Sequence, residues 1–181
     1  MPLIKMIRDF LADTRAGLSV ETVIIMPLLW WAYFGMFVLF EGYRSIAVNN
    51  RASYTISDML SRETNAITPA YVKGLSKMVD ILTQSPHRTV LRISVVSYDA
   101  AEDKHNLEWS YSTPGQTQIS AGEVSGKLEP YLPPMPDAAQ IIVVETWMAF
   151  VPFLNVGIDA KYFESLTTIS PRFAGQLKFI P

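Results

Sequence analysis

The sequence predicts an α+β chain in which a long N-terminal transmembrane and stalk helix precedes a small domain built on an antiparallel sheet. Three observations carry that expectation. Residues 22–40 hold no charge, residues 43–62 hold no Gly or Pro, and several β-branched runs follow, two of which alternate apolar and polar side chains. The chain has 181 residues, 49% hydrophobic and 18% charged, with a formal charge of −2, so it is neither disordered by composition nor drawn to nucleic acid by a positive field. It has no cysteine, which removes disulfides, thiolate metal sites and thiol catalysis together.

The uncharged run TVIIMPLLWWAYFGMFVLF lies between Glu21 and Glu41. As a helix it spans about 28 Å, near the roughly 30 Å hydrocarbon core of a bilayer. A core helix of a soluble protein would carry a polar stripe, and this run has none. Trp30 and Trp31 are mid-span, so they are expected to pack on neighbouring helices rather than form an interfacial belt. Pro27 removes one backbone hydrogen bond and is expected to kink the span. Ahead of it, residues 1–17 carry Lys5, Arg8 and Arg15 against Asp9 and Asp13, which favours a cytoplasmic N-terminus. A cleaved secretory signal would have a shorter apolar region ending in a small-x-small site, and none follows before Glu41, so the segment reads as a retained anchor.

Further along, Ile46, Asn50, Ser53, Ile56 and Leu60 keep a 3/4 spacing, which continues the membrane helix as an amphipathic stalk. Thr68-Pro69 reads as a cap and first helical residue. The helix it opens has a face at Tyr71 or Val72, Leu75, Met78 or Val79, and Leu82, and ends at Ser85-Pro86. VLRISVVSY places Leu91, Ile93 and Val95 on one face, and NLEWSYS places Leu107, Trp109 and Tyr111 on one face, with DAAEDKH joining them as a hairpin. Pro114-Gly115 reads as a turn, and Ser120 with Glu123 has capping-box spacing for a short helix. LPPMPD reads as an extended connector, IIVVETWMAF as a central strand, and RFAGQLKFI as a last strand alternating Phe173, Gly175, Leu177 and Phe179.

The basic leader, the small residue and the Glu at the head of an apolar helix resemble the type III signal of type IV pilin-like proteins. The closer resemblance is to the TadE/TadF-like pseudopilins, or minor pilins, of the tight adherence (Tad) pilus system. Their entry pattern of Val-Glu, five residues and Pro-Leu-Leu is matched by Val20, Glu21, Pro27, Leu28 and Leu29. FLADTRAG is similar to the family's Phe-Leu-x-Asp-x-x-x-Gly leader, and IAVNNRASYTISDMLSRET and PRFAGQL are similar to one branch of it. The resemblance implies a 1–17 leader, an 18–62 transmembrane and stalk helix and a 63–181 extracytoplasmic, pilin-like α+β domain, with the helix laid across the sheet. It implies cleavage by a prepilin peptidase at Ala16 or Gly17, and pairing of Glu21 with the new amine of a neighbouring subunit.

Family processing leaves Gly before the cut and Glu fifth after it. Here a cut after Gly17 makes Glu21 the fourth residue, and a cut after Ala16 makes it the fifth. Either the cut follows Ala16, or this branch tolerates the shorter spacing, or the leader stays.

The partners implied are other pilin-like subunits, the peptidase, the inner-membrane assembly machinery and membrane lipid, with the domain periplasmic; adhesion and biofilm formation are the implied outcome. A signal-anchored extracytoplasmic sensor or ligand-binding domain is the alternative.

Little else points to chemistry. Asp99, Glu102 and Asp103 lack calcium-loop spacing and read as a solvated turn. His87 and His105 have no ligand set, so no metal or other cofactor is expected, and no nucleotide or hydrolase motif points to an enzyme. Arg92 and Lys104 near Trp109 and Tyr111 could stack on a single strand, but beyond residue 17 there are 15 acids against 12 bases, so no nucleic-acid partner is expected. Glu145, within an apolar run, is expected to be paired or at an edge.

Overall fold

The computed structural model describes residues 2–12 and 17–181. Among the described residues, four α-helices and four strands appear in the order α1 (Pro2–Ala12), α2 (Gly17–Ser61), α3 (Pro69–Thr83), β1 (Val90–Asp99), β2 (Lys104–Ser112), α4 (Val124–Lys127), β3 (Gln140–Phe150) and β4 (Lys161–Ile169). Contacts divide the chain into two units. One holds the N-terminal helical stretch through Glu41 together with Pro152–Ile158; the other holds Gly42–Val151 and Asp159–Pro181. The fold is α+β: one long N-terminal helix, then an antiparallel four-stranded sheet with short helices.

In the second unit the sheet runs β2-β1-β3-β4, with every neighbour antiparallel. IIVVETWMAF supplies β3, one of the two central strands, because its β-branched residues suit burial on both faces. One face carries Leu91, Ile93, Val95, Ile142 and Val144, which pack with Ala52, Ile56 and Leu60 of α2 and Val72, Leu75 and Val79 of α3. The other carries Val96, Ile141 and Val143, covered by Ile119, Val124 and Leu128 from the β2–β3 connection. The core is thus a sheet between a helical layer and an irregular one.

Local chemistry explains the ends of several elements. Thr68 caps α3, its side chain accepting from Tyr71 N–H at 3.3 Å, with Pro69 first in the helix. Gln84, at φ 50°, closes it in the left-handed conformation. Gly115 sits at φ 122° with Val90 so close that a Cβ would lie 2.6 Å from its Cγ2, so the Pro114-Gly115 turn requires glycine twice over. Ser120 N–H donates to Glu123 Oε2 at 3.0 Å, the returning half of a capping box.

Four details differ from the expectations. RFAGQLKFI joins no strand of the sheet: Phe173 is exposed, while Leu177 is buried and Phe179 stacks on Trp109 and Tyr111 at 5.0 and 5.3 Å. The tail is pinned instead beside Ile67, whose N–H donates to Lys178 C=O at 2.8 Å, and beneath Trp109, whose Nε1 donates to Leu177 C=O at 2.7 Å. The last strand is β4, KYFESLTTI, which the alternation hides because its inward side chains include Ser165 and Thr167.

Leu107 does not share a face with Trp109. A bulge opposite Val95/Val96 makes Trp109 pair with Val95 and Leu107 with Val96, so Leu107 joins the second cluster. Leu82 is 40% exposed, and buried Thr83 takes the last position on the face of α3. The stalk buries Asn49, Ala52, Ser53, Ile56, Ser57 and Leu60, whereas Ile46 and Asn50 are half-buried. Its seam is polar at one end because β3 and β4 answer with hydroxyls and a backbone carbonyl. Asn49 Nδ2 donates to Phe163 C=O at 3.2 Å, its Oδ1 accepts from the Thr146 hydroxyl at 3.0 Å, and the hydroxyls of Ser53 and Thr167 lie 3.0 Å apart.

Candidate functional site

Helix α2 begins at Gly17 and runs unbroken through Pro27 to Ser61. Its first part is long and apolar enough to cross a membrane. Among the described residues of the 22–40 run, Val38 is the one that is buried; Val23, Ile24, Leu28, Trp31, Met36 and Phe40 are all more than half exposed. An apolar surface of that extent needs lipid or protein around it.

The residues expected to carry processing and pairing meet at the head of this helix. Gly17 is its first residue and Glu21 follows one turn later on the same side, a rise of about 6 Å. Glu21 is exposed, as is Pro27. Ala16 lies outside the described residues. Ahead of it, helix α1 exposes Ile4, Met6 and Ile7.

Four aromatic side chains form a stripe that is easy to miss in a run apolar on every side. Trp30, Tyr33, Phe34 and Phe37 recur at i, i+3, i+4 and i+7. Trp30 stacks on Phe34 at 5.8 Å and meets Tyr33 edge-on at 6.1 Å, and Tyr33 lies 5.6 Å from Phe37. These rings lock one another into a ridge, and Met26, Leu29, Trp30, Ala32, Tyr33 and Met36 line a shallow apolar groove beside it. A ridge beside a groove on an exposed helix can receive another helix.

The polar clusters of the domain have structural work. Asp99 Oδ1 accepts from the N–H groups of Ala101 and Glu102 at 2.9 and 3.3 Å, and Asp103 accepts from the Tyr98 hydroxyl at 2.6 Å, so these acids shape the β1–β2 turn. The Asp103 bond holds the Tyr98 hydroxyl above its usual pKa. His87 is exposed, and His105 Nδ1 lies 3.4 Å from Glu129 Oε1 without hydrogen-bond alignment. Among the described residues no three His, Asp or Glu side chains converge as metal ligands.

Arg92 and Glu145, 6% and 2% exposed, form a bidentate pair with both bonds at 2.6 Å. Arg92 also donates to Thr117 C=O at 3.0 Å and lies 4.8 Å over the Trp147 ring. A guanidinium so enclosed is not offered to a nucleic-acid strand. The pair ties β1, β3 and the β2–β3 connection together.

No family model, curated protein or solved structure matches the chain.

Proposed function

We propose that this chain is a pseudopilin-like structural protein that acts in assembly of a Tad-type pilus. The observation that supports it is the placement of one motif: Val20, Glu21, Pro27, Leu28 and Leu29 head a continuous, exposed apolar helix whose later turns form the spine of a small α+β domain. On this reading the N-terminus is cytoplasmic, α2 anchors the chain in the inner membrane, and the domain is periplasmic. A prepilin peptidase cuts at Ala16 or Gly17, and the aromatic ridge packs on other pilin-like subunits.

Glu21 gives the reading its chemistry. An unpaired carboxylate inside hydrocarbon costs several kcal/mol, whereas the α-amine created by cleavage on a neighbouring subunit offsets part of that cost and fixes the axial register. Glu21→Ala removes both the partner and the penalty. Membrane insertion is therefore retained while co-purification with other pilin-like subunits from membranes is lost. Undiminished co-purification would refute the pairing role. An uncut chain that needs no pilin-like partner would favour an anchored sensor instead.

A further inference from the structure

We infer that the loop joining β3 to β4 is a second membrane contact, dipping its apolar tip into the bilayer beside the end of the α2 span. Residues 151–158, VPFLNVGI, carry no charge. The turn itself is made by Asn155, whose Oδ1 accepts from Gly157 N–H at 3.2 Å, and by Gly157 at φ 93°. This turn leaves Val151 and Phe153 57% and 62% exposed and Leu154 40% exposed, although hairpin connections usually carry polar side chains.

What lies beside the loop identifies its occupant. Pro152–Ile158 belongs to the same compact unit as the apolar helix through Glu41. Val38, two residues before the apolar run ends, is 1% exposed while its neighbours are open, which fits protein cover on the helix at that level. A loop held there sits where the span leaves hydrocarbon, so its exposed Phe and Leu continue the surface that lipid must cover. The residues that follow suit a headgroup boundary: Asp159 and Lys161 bring charge, and Tyr162, an interfacial residue type, is 67% exposed. The inference rests on α2 being a membrane anchor.

The absence of cysteine makes the test direct. Full-length chains carrying Phe153→Cys, Met36→Cys or Ala101→Cys are labelled with an environment-sensitive NBD probe and reconstituted in phosphatidylcholine/phosphatidylglycerol vesicles. Doxyl groups on the lipid and iodide in the buffer serve as quenchers. The expected result is lipid quenching at Met36 and Phe153, with several-fold weaker iodide quenching at Phe153 than at Ala101 in the β1–β2 turn. A Phe153 probe as open to iodide as Ala101, with Met36 still quenched by lipid, overturns the loop contact and leaves the anchor standing. A Phe153 probe shielded from both quenchers means a protein covers the loop, and also overturns it. A Met36 probe that lipid does not quench overturns the anchor and the loop contact together.

Discussion

Neutralising Glu145 while keeping Arg92 strands a guanidinium inside the sheet, and the structure sets how much that should cost. Both groups are below a tenth exposed, and the two bonds of 2.6 Å leave little room for water between them. Removing one partner of such a buried pair costs about 3–5 kcal/mol, because the other charge is left uncompensated. Replacing both partners by apolar residues of similar volume is typically neutral or stabilising, because the desolvation of two ions is avoided.

In a fragment of residues 42–181, Glu145→Gln should therefore lower stability by about 3–5 kcal/mol, or Tm by roughly 10–20 °C for a domain of this size. The double variant Arg92→Met/Glu145→Leu should lie within about 1 kcal/mol of the parent or above it, giving a large non-additive term. Urea unfolding followed by tryptophan fluorescence is suited to this, because Trp147 lies against Arg92 and reports its loss. A single-variant cost below about 1 kcal/mol at unchanged m would mean the pair is solvated, and would refute the reasoning.

Two further outcomes concern the stalk seam and acid. Asn49→Ala removes the partner of both Phe163 C=O and the Thr146 hydroxyl, and should cost about 1–3 kcal/mol in the same assay; a change within 0.5 kcal/mol, roughly the scale of a surface substitution, would show that the seam does not hold α2 on β4. The second outcome concerns two carboxylates. Lys127, then Ser120, pull the Glu123 carboxyl from 4.5 down to about 2, and the N–H of Asn65 and then Tyr71 lower that of Glu63. Since both folded values lie below the unfolded 4.5, their contribution is complete above it and is lost as pH falls, towards about 2 for Glu123. Tm measured over that window should fall less steeply in Glu63→Gln/Glu123→Gln than in the parent, and equal slopes would contradict these assignments.

Much of the fold is legible in the sequence where one physical signal dominates. An uncharged run and an uninterrupted 3/4 spacing give α2, Thr68-Pro69 gives the start of α3, and β-branched runs give β1 and β3. Legibility fails where polar groups do the packing. Thr167 meets Ser53 of α2 through its hydroxyl and Ser165 is buried with it, so β4 shows no apolar alternation, and the stalk buries Asn49 where the 3/4 spacing points to Asn50. It fails again at the bulge opposite Val95/Val96, since one skipped residue sends Leu107 to the other face, and at the tail, whose alternation is real but serves Trp109 and Tyr111 rather than a ladder. At the candidate site, Gly17, Glu21 and Pro27 are singled out by a motif alone, and what the structure adds is their place at the head and within the apolar part of α2. The aromatic ridge and the β3–β4 loop are not, because one lies within a run that is apolar all round and the other depends on what folds beside it.

The mature N-terminus tests the pseudopilin account most directly. The chain, 20.3 kDa in full, is isolated from membranes with and without a co-expressed prepilin peptidase, and its intact mass and first residue are determined. The account predicts a peptidase-dependent loss of about 1.9 kDa, the mass of the first 16 or 17 residues, with Gly17 or Leu18 as the new first residue. It also predicts an uncut chain when Ala16 and Gly17 are both replaced by bulky residues. A full-length chain whose mass the peptidase does not change would contradict the account.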